Sequence, residues 1–140
     1  MITHLRAMLI RQEALKLKPY RDSVGKLTIG VGRNLDDTGI SEAEAYMMLD
    51  NDIVTYTTEA KNLAVFAHLD SVRQDVLVNM VFNMGLPRVQ GFKKMLAALE
   101  AGDWNVASAE MLDSKWASQV GNRALELAAM IRTGAYREGG

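Results

Sequence analysis

The sequence predicts an α+β chain, with a small β element near the N-terminus and a mostly helical remainder. Three observations carry this. Apolar and polar residues alternate between Leu15 and Leu35, the two-residue period of half-buried strands. From Ser41 onward apolar residues recur three and four apart, the period of helix faces. Glycines, prolines and short polar residues of capping type fall at the borders between these stretches.

Leu5, Met8 and Leu9 mark one face of an opening helix that ends near Gln12 or Glu13. The period then changes: Leu15 and Leu17 alternate with Lys16 and Lys18, and Pro19 bars easy helical continuation. Asp22-Ser23-Val24-Gly25 supplies turn chemistry, after which Leu27, Ile29 and Val31 alternate again. Leu15 to Leu35 therefore reads as an antiparallel hairpin or three-stranded ribbon, an element too small to stand without helices. Ser41 and Glu44 form a capping box, in which hydroxyl and carboxylate satisfy orphan backbone N–H groups reciprocally. The helix that follows, with Ala45, Met48, Leu49 and Ile53 at helical spacing, is expected to connect two lobes. Asp70 reads as the N-cap of an apolar helix carrying Val72, Val76, Leu77, Met80, Val81 and Met84, which Gly85 and Pro87 end. Phe92, Met95, Leu96 and Leu99 form the next face, closed by Gly102. Asp103 caps a helix with Trp104, Ala107 and Met111, and Asn122 to Ile131 forms the last helix before Gly134.

A chain of 140 residues fits one domain, here expected as two lobes around a cleft. Its 49% hydrophobic and 24% charged residues are ordinary globular composition. The absence of cysteine removes disulfide scaffolds, thiolate metal sites and cysteine nucleophiles together. A net charge of -1 lacks the basic excess from which nucleic-acid binders draw their affinity, so no nucleic-acid partner is expected. No apolar run approaches the roughly 20 residues that span a bilayer. His4, Arg6, Arg11, Gln12 and Glu13 interrupt the stretch from Met1 to Leu17, so it reads as no signal peptide. An extracytoplasmic substrate would need another protein to provide the route.

The chemically informative segment runs from Glu13 to Gly32. Glu13 lies where helix gives way to strand, and Asp22 lies in the turn. Two carboxylates from different elements suit glycoside hydrolysis. One, protonated, donates to the leaving oxygen, and the other, ionised, stabilises an oxocarbenium-like centre or positions water. Thr28 on the following strand offers a hydroxyl to orient that water, and Gly30 and Gly32 would let a polymer approach closely. Spacing alone does not single this pair out from 17 acidic residues, because a helix-end Glu and a turn Asp are common structural features. A nucleotide-loop reading of Gly30-Val31-Gly32 fails, since the third glycine is missing and no βαβ unit follows.

The pattern Glu13-x8-Asp22-x5-Thr28, followed by Ile29-Gly30-Val31-Gly32, resembles the catalytic segment of the phage-type lysozymes, glycoside hydrolase family 24. Further stretches resemble that family in the same order: Ser71-Val72-Arg73, Asn79 to Gly85, Ser114-Lys115-Trp116, Asn122-Arg123-Ala124 and Arg132-Thr133-Gly134. The resemblance implies one lysozyme-like domain over residues 1–140, its β lobe at about 14–40 and its helical lobe at about 41–140 plus the opening helix. It implies a cofactor-free muramidase that inverts configuration at the β-1,4 bond between N-acetylmuramic acid and N-acetylglucosamine of peptidoglycan. Glu13 would be the general acid, Asp22 the second carboxylate and Thr28 the water-positioning hydroxyl. Gly30, Asn83, Trp116 and Arg123 would lie along the substrate. A monomer is expected, acting after release through a pore made by another protein or as a virion component. A lytic transglycosylase and a non-catalytic glycan-binding module are the alternatives, and the Glu13, Asp22, Thr28 set favours hydrolysis.

Two departures from the family stand out. Arg33 occupies a position where many members have histidine, so a histidine-centred salt bridge there is lost or replaced. The link from Leu35 to Ser41 is shorter than in the T-even phage member, which trims the β lobe. An Arg123 near Glu13 would lower the acid's pKa, and burial would have to oppose it. His4 and His68 have no ligand-spaced neighbours, so no metal is expected. Most methionines are expected in the core, and Trp104 and Trp116 in helix packing. Lys16, Lys18, Arg21 and Lys26 form a basic strip on the β lobe, solvated or facing an anionic wall.

Overall fold

The computed structural model describes residues 2–137, and its elements follow the predicted order. Helix α1 spans Ile2–Glu13, strands β1, β2 and β3 span Lys16–Arg21, Leu27–Gly30 and Arg33–Asn34, and α2 spans Glu42–Ala60. After a 3₁₀ turn at Phe66–His68 come α3 (Ser71–Met84), α4 (Leu86–Gln90), α5 (Lys93–Glu100), α6 (Trp104–Leu112), α7 (Lys115–Val120) and α8 (Asn122–Thr133). The fold is α+β, as predicted. Its contacts divide it into two compact units, Met1–Met48 and Leu49–Gly140.

In the N-terminal unit α1 stops at Ala14, whose φ of +64° lies in the left-handed region and whose N–H closes on the Ile10 carbonyl. That is helix C-cap geometry, here adopted without glycine. The ribbon is antiparallel in the order β1-β2-β3, with Tyr20 opposite Thr28 and Arg21 opposite Leu27. β2 in turn pairs Thr28 with Asn34 and Ile29 with Arg33. Pro19 is tolerated because β1 is an edge strand, and the register slips between Lys16 and Tyr20 beside it. The Ser41–Glu44 capping box forms as predicted: Ser41 N–H donates to Glu44 Oε1 at 2.8 Å, and Glu44 N–H donates to Ser41 Oγ at 3.1 Å.

The C-terminal unit holds the core. Val76, Leu77, Met80 and Val81 of α3 are wholly enclosed, with Val89, Met95, Met111 and Ile131 from later helices. Asp70 caps α3 by accepting from Arg73 N–H, and Asp103 caps α6 by accepting from Val106 N–H, both as predicted. Two details differ from expectation. Pro87 does not merely end α3: Gly85, at φ +88°, stops that helix, and Pro87 stands in the first turn of α4, where its missing N–H costs nothing. The segment after Ser114 forms the separate helix α7, with Ser114 Oγ capping Ala117 N–H. The methionines divide between environments: Met80, Met95, Met111 and Met130 are buried, whereas Met8, Met47 and Met48 are exposed.

Arg73 ties this unit together. Its guanidinium lies 3.8 Å from the Trp104 ring centroid, donates to the Ile131 carbonyl at 2.7 Å and pairs with Asp70 at 2.9 Å. Burial raises the Asp70 carboxyl's pKa, but the hydrogen bonds and charge of Arg73 outweigh it, so the net shift is downward.

Candidate active site

The N-terminal unit brings Glu13, Asp22, Thr28 and Gly30 onto one helix–ribbon element. Glu13 is the last residue of α1, and the reversal at Ala14 sends the chain directly into β1. Its side chain rests on Gly32: a Cβ added there would lie 2.8 Å from Glu13 Oε2 and 3.0 Å from Cγ. Gly32 also adopts φ +66°, so both backbone and space require glycine. The close approach expected of Gly30 and Gly32 thus divides between them. Glu13 fills the space beside Gly32, whereas nothing lies within 4 Å of a Cβ at Gly30, whose φ of +70° is its own reason for glycine.

Asp22 organises the β1–β2 turn. Its Oδ1 accepts from Val24 N–H at 3.0 Å and from Lys26 N–H at 2.8 Å, an Asx-type turn. Oδ2 accepts no hydrogen bond among the described residues, so half of the carboxylate remains for chemistry. Thr28 is 3% exposed, and its hydroxyl donates to the Lys26 carbonyl at 2.9 Å. With the proton committed, the lone pairs of Oγ1 are left to accept. Lys26 therefore contacts both residues through its backbone, its N–H fixing Asp22 and its carbonyl fixing Thr28.

Arg33 replaces the expected histidine with a different partner. Its guanidinium grips Glu44 through two bonds, Nη1 to Oε1 at 2.7 Å and Nη2 to Oε2 at 2.8 Å, and Nη1 also donates to the Gly39 carbonyl at 3.1 Å. The Arg33 hydrogen bonds, followed by those from Ser41, hold the Glu44 carboxyl down to about 2, and the carboxylate raises the Arg33 pKa in return. Sequence reasoning assigned Glu44 to the cap alone. The signal for its second role, a cation in the position of the family histidine, was present without a partner.

The basic strip is narrower than its composition suggests. Lys26 pairs with Asp37 at 3.1 Å, and Arg21 lies 3.8 Å from Asp36 and donates to the Gly25 carbonyl. That leaves Lys16 and Lys18 as its cations without an acidic partner among the described residues.

The remaining candidate residues belong to the C-terminal unit. Trp116 is buried, edge-on to Phe92, and its indole N–H donates to Asn83 Oδ1 at 2.7 Å. Asn83 is itself exposed, so one face of its amide stays open to solvent. Arg123 donates through Nε to Asn79 Oδ1 at 2.9 Å, which orients its guanidinium.

Comparison with known proteins agrees with this architecture. The family model described as Phage lysozyme matches residues 10–132, from the end of α1 to the last turn of α8. Probable T4-type lysozyme 1 of Dictyostelium discoideum is 29% identical across 96% of this chain and 96% of its own length. The SAR-endolysin of Escherichia phage Mu is 31% identical across 93% of this chain and 80% of its own. The pre-baseplate central spike protein Gp5 of Enterobacteria phage T4 is 31% identical across 91% of this chain, which corresponds to 27% of that longer protein. The chain belongs to the phage lysozyme family and is a glycoside hydrolase, a lysozyme-type enzyme of bacterial peptidoglycan.

Proposed function

We propose that the enzyme hydrolyses the β-1,4 bond between N-acetylmuramic acid and N-acetylglucosamine with inversion, using Glu13 as general acid, Asp22 as second carboxylate and Thr28 as water-positioning hydroxyl. Protonated Glu13 gives its proton to the glycosidic oxygen as the bond from that oxygen to the anomeric carbon breaks. Water attacks the same carbon from the opposite face. It is aligned by donating one hydrogen to Thr28 Oγ1 and passing the other proton to Asp22 Oδ2, and the product is a hemiacetal of inverted configuration.

The observation that carries this reading is the helix–ribbon junction itself. One carboxyl is seated on a glycine at the end of α1, and a second is held by one oxygen in the turn, with a hydroxyl fixed through the same Lys26 backbone. The contacts that orient Asp22 and Thr28 leave Asp22 Oδ2 and the lone pairs of Thr28 Oγ1 for the reaction. Gly30 in the N-terminal unit and Asn83, Trp116 and Arg123 in the C-terminal unit complete the proposal as glycan-binding residues, Trp116 acting through the Asn83 amide it anchors. Among the described residues no helix is long and apolar enough to cross a membrane. We place the enzyme's action at the wall, reached through a pore made by another protein or as a virion component.

Glu13→Gln tests the assignment. Clearing of purified peptidoglycan should fall by about two to four orders of magnitude, with circular dichroism and melting temperature unchanged. A folded Glu13→Gln variant that clears at the wild-type rate would show that the acid lies elsewhere. Product mass and anomeric configuration, read by mass spectrometry and NMR, should show a hydrated reducing end of inverted configuration. An anhydro sugar would overturn hydrolysis.

A further inference from the structure

The seat of Glu13 is held by very little ladder. β3 is two residues long: Thr28–Asn34 and Ile29–Arg33 pair across to β2, and Leu35 N–H adds one bond to the Leu27 carbonyl at 2.7 Å. Gly32 immediately precedes β3 in a left-handed conformation, and Glu13 Cγ, Cδ and Oε2 all crowd the position where its Cβ would stand. A shift of this segment by a fraction of an ångström therefore moves the surface on which Glu13 rests. Outside the ladder β3 is restrained by Asn34, which exchanges hydrogen bonds with Asp37, and by the Arg33 side chain, held by three hydrogen bonds to Gly39 and Glu44 beyond the ribbon. Glu44, its main acceptor, is anchored in turn by Ser41 N–H at the N-terminus of α2.

We propose that Arg33 is a positioning residue for cleavage: gripped by Glu44 and the Gly39 carbonyl, it holds Gly32 in place against Glu13 and so fixes where the acid stands. The inference rests on Glu13 being the acid. The Arg33 and Glu44 side chains are 36% and 43% exposed, so as a source of stability the pair is weak. Its effect lies in geometry, because two parallel bonds between planar groups fix orientation as well as distance. Lysine could supply the charge but not the fork.

The test measures kcat and KM on purified peptidoglycan for Arg33→Ala, Arg33→Lys and Glu44→Gln, with Glu13→Gln alongside. Misplacing an acid slows the chemical step and leaves binding in place, so Arg33→Ala should lose about tenfold to a hundredfold in kcat, with KM within about threefold of wild type. Arg33→Lys should recover part of that loss. Glu44→Gln separates the grip from the cap: glutamine still completes a capping box, but its neutral amide cannot present two oxygens to the guanidinium. Its kcat should fall in the same direction, and this variant decides if Arg33→Ala does not fold. Wild-type kcat in folded Arg33→Ala, or in Glu44→Gln, would overturn the proposal, as would a loss that vanishes on cooling well below the melting temperature. An active Glu13→Gln would instead overturn the reading of the acid itself, so the two failures are told apart.

Discussion

The two units are organised by different forces. Among the described residues every buried hydrophobic side chain, from Ala60 to Ile131, belongs to the C-terminal unit, and Thr28 is the one buried side chain of the N-terminal unit. The candidate chemistry has the opposite distribution, with Glu13, Asp22 and Thr28 all in the unit that has no buried apolar side chain among the described residues. Packing stabilises in proportion to area and tolerates some rearrangement. Hydrogen bonds, tight turns and a bidentate ion pair contribute less energy but specify direction. The lesson is a separation of tasks: the helical unit supplies most of the apolar burial, and the ribbon supplies orientation. Substitutions in the two units should therefore fail in different ways.

The largest effect on folding is expected at Leu77, which is wholly buried in α3. Leu77→Ala should cost about 2–5 kcal/mol of stability, measured by denaturant unfolding, with specific activity per folded molecule retained at low temperature. A large activity loss in the folded fraction would break the separation. Gly32→Ala should show the reverse. The added methyl displaces Glu13 and strains a backbone at φ +66°, so clearing should fall about a hundredfold, with the unfolding of the helical unit little changed. Near wild-type clearing would mean that the position of Glu13 does not depend on its seat.

A smaller and pH-specific effect is expected from Glu44. Its folded-state pKa of about 2 lies below the ordinary 4.5, so its contribution is fully present above pH 4.5 and is lost as the pH falls toward 2. Melting temperatures across that window should drop less steeply for Glu44→Gln than for wild type, and identical slopes would remove Glu44 as a source of acid sensitivity. The smallest effect belongs to Ala14. Glycine would relieve its left-handed φ of +64°, raising stability by about 1 kcal/mol or less, seen as a small rise in melting temperature without loss of clearing.

Much of the fold was legible because its signals are local. Ser41 with Glu44, Asp70 and Asp103 each act within four residues of their own position, and each forms the cap its spacing implies. The alternation from Leu15 to Leu35 identified the ribbon for the same reason. The short helix α7 leaves no mark in the sequence pattern because six residues are too few to display a period, and Pro87 is ambiguous because a residue that cannot continue one helix is equally suited to begin another. In the candidate site, Glu13, Asp22 and Thr28 stood out only when their spacing was set beside a known family. The Arg33–Glu44 grip, eleven residues apart, and the packing of Glu13 on Gly32 depend on how the chain returns on itself, which neither propensity nor spacing encodes.

The turn at Asp22 carries a chemical consequence. Two backbone N–H groups, of Val24 and Lys26, point at one oxygen of this side chain. Any replacement that keeps the turn must offer them an acceptor there. Asparagine can do so only by facing its oxygen inward, which swings its NH₂ outward to the place where the carboxylate now presents a lone pair. The loop therefore imposes a polarity on whatever stands at this position, and the amide would greet an incoming water with a donor where aspartate offers an acceptor.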